Sequence, residues 1–234
     1  MVDRALVVCR DPSSRLWQLG PLPAEDGSVV LIGWKGGSPT FDGEDLHPCA
    51  LAVVTALTQI ARVTFPCSAF GTPRGGGWVP IDSRSVEIGV VERHSIVSSS
   101  VWSLLGRRSR ITLASTREDE FVSWMFDDAE YPWELQGQFA VLSGAADGPP
   151  AILSDFERLD CLFGDEWTKT SRALVPAGAA GVMRPGVDGD LIGVFSSTPQ
   201  FEASLVESLC NAAVAAGREC AMVSETTFAD VIGS

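Results

Sequence analysis

The stretch from Asp190 to Ser224 constrains the fold most, because it reads as strand, helix, strand with each boundary marked by a residue suited to it. Leu191-Ile192-Gly193-Val194-Phe195 is an unbroken apolar run. Thr198 follows and can cap a helix, since its hydroxyl can accept from an unpaired amide of the first turn. Pro199 then takes the first helical position, where its missing N–H costs nothing. Gln200, Ser204, Glu207 and Asn211 recur at helical spacing as a polar stripe, and Phe201, Leu205, Leu209, Ala212 and Ala216 as a buried face. Gly217 supplies the left-handed stop. Cys220-Ala221-Met222-Val223 closes the unit as a second strand. Neither strand alternates, as expected when both faces are covered. The spacing predicts a parallel pair joined by a right-handed crossover. This unit is scaffold and carries no chemistry of its own.

The same reading places strands over Ala5–Cys9, Ser28–Trp34, Val86–Val91, Ile111–Ala114 and Gln138–Ser143, with short ones at Leu16–Leu19 and Ala151–Leu153. Pro48–Ala61 reads as a buried helix with proline in its first turn. Ser115 with Glu118, or Thr116 with Asp119, marks a helix start, and Ser154 with Glu157 another. Ala180–Met183 and Leu191–Phe195 form a hairpin across Pro185–Gly189. Thr64–Pro80 is the loosest segment, with three prolines and three consecutive glycines. No internal repeat is visible. The expected fold is α+β: a mixed, largely antiparallel sheet, three to four packed helices and the C-terminal β-α-β unit. It forms one globular unit over 1–234, with a possible division into an N-terminal lobe, 1–105, and an acidic lobe, 106–234.

Composition sets the function classes. Apolar residues make up 45% of the chain, enough for a sizeable core. No apolar stretch reaches the roughly 20 residues that span a bilayer, and the N-terminus does not read as a signal peptide. Six cysteines include no Cys-x-x-Cys pair, and there are only two histidines, so no clustered metal site and no cofactor is expected. The thiols are expected to be reduced and mostly buried. Only two of 17 basic residues are lysine, which suggests a GC-rich bacterial or phage genome.

Charge is unevenly placed. Up to Arg117 there are 12 basic and 10 acidic residues; from Glu118 onward there are 5 and 20, a net of −15 within a total of −13. An acidic half repels nucleic-acid backbones and anionic membranes and attracts a basic protein. The alternative is a highly soluble surface.

Five groups are candidates for chemistry or binding. In Gly71–Trp78, glycine freedom would let backbone amides of Gly75 and Gly76 approach an anion, with Arg74 as clamp and Trp78 as stacking ring; the bland alternative is a flexible loop. Cys67 with His94 at a strand end would make a thiolate nucleophile and its base if the fold joined them. Glu87 and Glu92, or Asp188-Gly189-Asp190, are carboxylate groupings that abundance alone explains. Arg107-Arg108-Ser109-Arg110 could meet phosphates or tie to the acidic half. Trp124, Asp127, Asp128, Glu130, Tyr131 and Trp133 combine rings that anchor with acids that steer, which suits a grip on a basic partner.

The expectation is a non-enzymatic, cytoplasmic protein-binding protein of immunity, inhibitor or assembly type. It would dock a basic partner through its acidic C-terminal half, with no role for nucleic acid or membrane. The alternative is a small-molecule enzyme or ligand binder using the loop 67–78, with Cys67 and His94 catalytic. Oligomeric state is not readable.

Overall fold

A computed structural model describes residues 5–11, 28–35, 47–67, 72–74, 77–79, 91–97, 110–119, 140–144, 179–185 and 191–232. Among them are eleven strands: β1 Ala5–Arg10, β2 Ser28–Gly33, β3 Ala61–Cys67, β4 Thr72–Arg74, β5 Gly77–Val79, β6 Val91–Val97, β7 Arg110–Thr116, β8 Ala140–Gly144, β9 Gly181–Pro185, β10 Leu191–Ser196 and β11 Glu219–Met222. The helices are α1 Pro48–Ile60, α2 Pro199–Ala215 and α3 Glu225–Ile232. Nine strands form one sheet in the order β11-β1-β2-β10-β9-β8-β3-β7-β6, and β4-β5 stand apart as a two-stranded ladder. Among the described strands β1 and β11 alone pair in parallel, and the other ladders are antiparallel. The expected α+β class with a mixed, largely antiparallel sheet is therefore what forms.

The sheet explains why its central strands lack alternation. Leu6, Val8, Val30, Ile32, Ile192 and Val194 face the α1–α2 pair, in one core that also takes in Trp34, Val63, Leu142 and Met183. Ala5, Val7, Cys9, Val29, Leu31, Leu191 and Phe195 face the other way, onto Phe228 and Val231 of α3. With both faces covered, β10 is buried at all six positions.

Both long helices start the same way. Thr198 accepts from the Phe201 amide at 3.2 Å ahead of Pro199, as its sequence predicts. His47 accepts from the Cys49 amide through Nδ1 at 3.1 Å ahead of Pro48. Gly217 has φ of +69° and ends α2. The predicted polar stripe of α2 is exposed at all four positions, and Leu205, Leu209 and Ala212 are buried. Ala216 is exposed instead, and Glu202, Ser208 and Ala213 join the buried side.

The β-α-β unit is present with a different pairing. Because β11 parallels β1, and β1-β2 and β2-β10 are antiparallel, β10 and β11 do run in the same direction. However, β1 and β2 lie between them, so α2 crosses two strands before the chain re-enters the sheet. The order β-β-α-β in fact occurs twice, as β1-β2-α1-β3 and β9-β10-α2-β11, and the two halves meet where β2 pairs antiparallel with β10. Strands from both sides of residue 106 thus alternate in one sheet.

Two other segments differ from expectation. The segment read as loose, Thr64–Pro80, contains the end of β3, a strand inserted between β8 and β7, and the β4-β5 ladder. Pro66 of β3 stands opposite Leu113 of β7, and among the described residues the β8 ladder runs no further than Thr64 opposite Val141. Helix α1 passes into β3 at Ala61 without a glycine. Its C-terminal carbonyls are met instead by the Arg117 guanidinium, which donates to Thr58 O at 3.2 Å and Gln59 O at 3.0 Å. Ser115, one of two expected helix caps, is a buried strand residue bonded to Thr64 at 2.9 Å, and it is the Thr116 hydroxyl that accepts from the Glu118 amide. No described helix is long and apolar enough to cross a membrane.

Candidate functional site

The fold separates the cysteine and histidine that a nucleophile–base pair would need. Cys67 stands opposite Thr112 on β7, and Thr112 stands opposite Ser95 on β6. His94 is therefore two strands from Cys67 and one residue out of line, which puts the two positions on opposite faces of the sheet. His94 is also in the middle of β6, not at a strand end. Arg74 and Trp78 fall on the β4-β5 ladder, Arg74 opposite Gly77 and Trp78 opposite Pro73. Gly75 and Gly76 lie outside the described residues, as do Glu87, Arg107, Arg108, Asp188 and the whole aromatic–acidic group Trp124, Asp127, Asp128, Glu130, Tyr131 and Trp133. Glu92 is on β6 opposite Ser115, and Arg110 opens β7 opposite Val97.

A different histidine and cysteine do come together. Trp34, just past the end of β2, stacks on His47 with ring centroids 5.6 Å apart and planes 13° from parallel. His47 caps α1 next to Cys49, and the positive field of Arg218, from the turn between α2 and β11, reaches both. Burial, then Arg218, lower the His47 pKa, so the ring is neutral at pH 7 with Nδ1 free to accept the capping amide. Burial pushes the Cys49 thiol up to about 11, although Arg218 pulls the other way. A neutral thiol beside a neutral imidazole is not an activated nucleophile. The group is best described as the packed start of α1. Its three parts come from segments far apart in the sequence, and only the His-Pro dipeptide was available to hint at it.

The second polar feature ties the two halves of the chain. Glu202, in the first turn of α2, is 4% exposed and forms an ion pair with Arg10 at the end of β1. The carboxylate also suits the positive end of the helix. Asp119 accepts from the hydroxyls of Thr55 and Thr58 and so holds the 117–119 segment to α1. Two acids of the C-terminal half are thus consumed internally, one of them by an arginine of the N-terminal half. Among the described residues no group of three or more His, Cys, Asp or Glu could hold a metal ion.

The remaining acids of the C-terminal unit are at the surface. Glu207 on α2, Glu219 on β11 and Asp230 on α3 are exposed, and Glu225 is partly so. Across 199–232 five acids face a single base, Arg218. The same unit holds a bond that runs against the expectation of reduced thiols: Cys210 of α2 and Cys220 of β11 form a disulfide, with Cα atoms 5.0 Å apart. Ten residues apart in sequence, the two are brought together by Gly217, which turns the chain back along its own helix. Cys9 and Cys49 are free and buried. Among the described residues β11 ends the nine-stranded sheet, with Glu219 and Met222 exposed. Comparison of the chain with protein-family models, with curated proteins and with solved structures finds no match.

Proposed function

We propose that the chain is a non-enzymatic protein-binding protein, of immunity, inhibitor or assembly type, which receives a basic partner on its acidic C-terminal half. The observation that carries this reading is the charge of residues 199–232: five acids against one base, with Glu202 paired to Arg10 and Glu207, Glu219 and Asp230 exposed. A field of one sign over a folded surface raises the encounter rate with an oppositely charged protein and selects against wrong partners. Nucleic acid and anionic lipid carry the wrong sign for it. The aromatic–acidic group from Trp124 to Trp133 adds rings and further acids to the same half of the sequence. A cytoplasmic location belongs to this reading. The Cys210–Cys220 bond pulls against it, because such bonds persist mainly in oxidising compartments. Acid-quenched thiol trapping in the native source decides that point: an open pair in the cell keeps the cytoplasmic placement, and a closed one removes it.

The test of function is capture of the partner from the native source, its identification by mass spectrometry, and stopped-flow association at several salt concentrations. Replacing Glu207, Glu219 and Asp230 together by lysine should slow association about tenfold or more at low salt and flatten its salt dependence. Rates and slopes that match the parent protein would reject the acidic-surface mechanism.

A further inference from the structure

Among the described residues β11 is an end strand of the sheet, and the direction of its backbone bonds shows which groups it offers there. The Val223 amide donates to the Val8 carbonyl at 2.9 Å, so residue 223 faces β1. Along a strand, N–H and C=O groups of alternate residues face the same neighbour. Glu219 and Ala221 therefore also face β1, while Cys220 and Met222 turn their N–H and C=O groups to the open side. Among the described residues β11 pairs with β1 alone. Helix α3 lies over β1 and β2, on the face of the sheet against which Ala221 also packs. The opposite edge, β6, carries Glu92, Arg93 and His94 in succession, the mixed charges that discourage strand addition. β11 carries one charge, Glu219, and an exposed apolar side chain, Met222, at 49% exposure. Its position is fixed from behind by the Cys210–Cys220 bond, so little ordering is left for an incoming strand to accomplish.

We propose that β11 is a docking edge for an extended, positively charged segment of a partner protein, which adds to the sheet as a further strand. The inference rests on the protein-binding reading above and names its surface. Two outward donors and two outward acceptors supply the main-chain pairing, and Met222 supplies an apolar contact. Glu219, exposed on this strand, selects for lysine or arginine beside it. The short ladder gives weak pairing by itself, so charge decides which segment docks.

The test uses the full chain, labelled with nitrogen-15, and a blocked octapeptide of alternating lysine and valine, with a glutamate–valine octapeptide as control. The lysine peptide should shift the Cys220 and Met222 amides and slow their hydrogen exchange about tenfold or more, and the glutamate peptide should do neither. Met222→Pro removes one outward N–H without touching the β1 ladder, and Glu219→Lys reverses the edge charge on an exposed side chain. Each should weaken binding by about tenfold, and the second remains informative if the first fails to fold. Binding of the lysine peptide that maps away from 219–222 overturns the edge and leaves the acidic-surface reading intact. Absence of binding up to about 1 mM also overturns it, while that reading still stands or falls on partner capture. A dimer in sedimentation that Met222→Pro dissociates would assign the edge to a second copy of this chain and overturn the proposal.

Discussion

Opening the Cys210–Cys220 bond should measurably destabilise the fold. The bond closes a loop with a sequence separation of 10. The entropy it removes from the unfolded chain corresponds to about 2.7 kcal/mol at 25 °C. For a domain of this size one kcal/mol moves the melting temperature by roughly 2–4 °C, so the expected fall is about 5–11 °C. The perturbation is Cys210→Ser with Cys220→Ser, compared with the parent protein with and without a phosphine reductant. The assay is thermal unfolding followed by circular dichroism, with a non-reducing peptide map to read the linkage. The double variant and the reduced parent should melt together, and reductant should leave the double variant unmoved. A parent protein indifferent to reductant, with residues 210 and 220 both alkylated in the map, would refute the pairing and with it the rigid support argued for β11.

Two further outcomes follow from close contacts and buried groups. A Cβ on Gly181 would lie 2.6 Å from the Phe195 carbonyl oxygen of the neighbouring strand, whereas one on Gly33 would first meet the Ile232 Cγ2 methyl at 2.8 Å. Gly181→Ala should therefore cost about 1–3 kcal/mol in denaturant unfolding and Gly33→Ala clearly less, since backbone yields less readily than the last side chains of α3; equal costs would contradict the packing. His47 has a folded pKa below its ordinary value of about 6.5, so the unfolded chain takes the proton first as pH falls, and stability should be lost from about pH 6.5 downward. Cys49 has the opposite sign: raised to about 11 in the fold, it should subtract stability as pH rises above about 9. His47→Asn, which retains a capping side chain, should reduce the acid slope and Cys49→Ala the alkaline one; unfolding curves between pH 5.5 and 10 that keep both slopes would exclude these groups as the cause.

How much of this could be read beforehand depended on whether the determining contacts were local. α2 was legible because Thr198, Pro199 and Gly217 act on their own backbone within a turn. β2 and β10 were legible because burial on both faces leaves an unbroken apolar run in each. β3 was not, because a proline within a run argues against a strand, and because the helix before it is closed by Arg117, a residue more than fifty positions further on. α3 was missed although Ser224 accepts from the Thr227 amide at 3.3 Å and Phe228 and Val231 repeat at helical spacing; eight residues give a weak periodic signal. The doubled β-β-α-β order left no repeat in the sequence, since the two halves share little beyond a capping residue followed by proline. The polar features followed the same division. Net charge by segment was readable, but the placement of Cys67 and His94 on opposite faces, the His47–Trp34 stack and the exposure of β11 all depend on strand order. Strand order is a property of contacts between distant segments, which residue pattern alone leaves open.

Carboxyl-to-amine crosslinking of the purified complex, read by mass spectrometry, bears most directly on the acidic surface as the place where the partner sits. Bonds from Glu207, Glu219 or Asp230 to lysines of the bound protein are the predicted result. Crosslinks confined to carboxylates before Glu118, with those three unmodified by the partner, would contradict it.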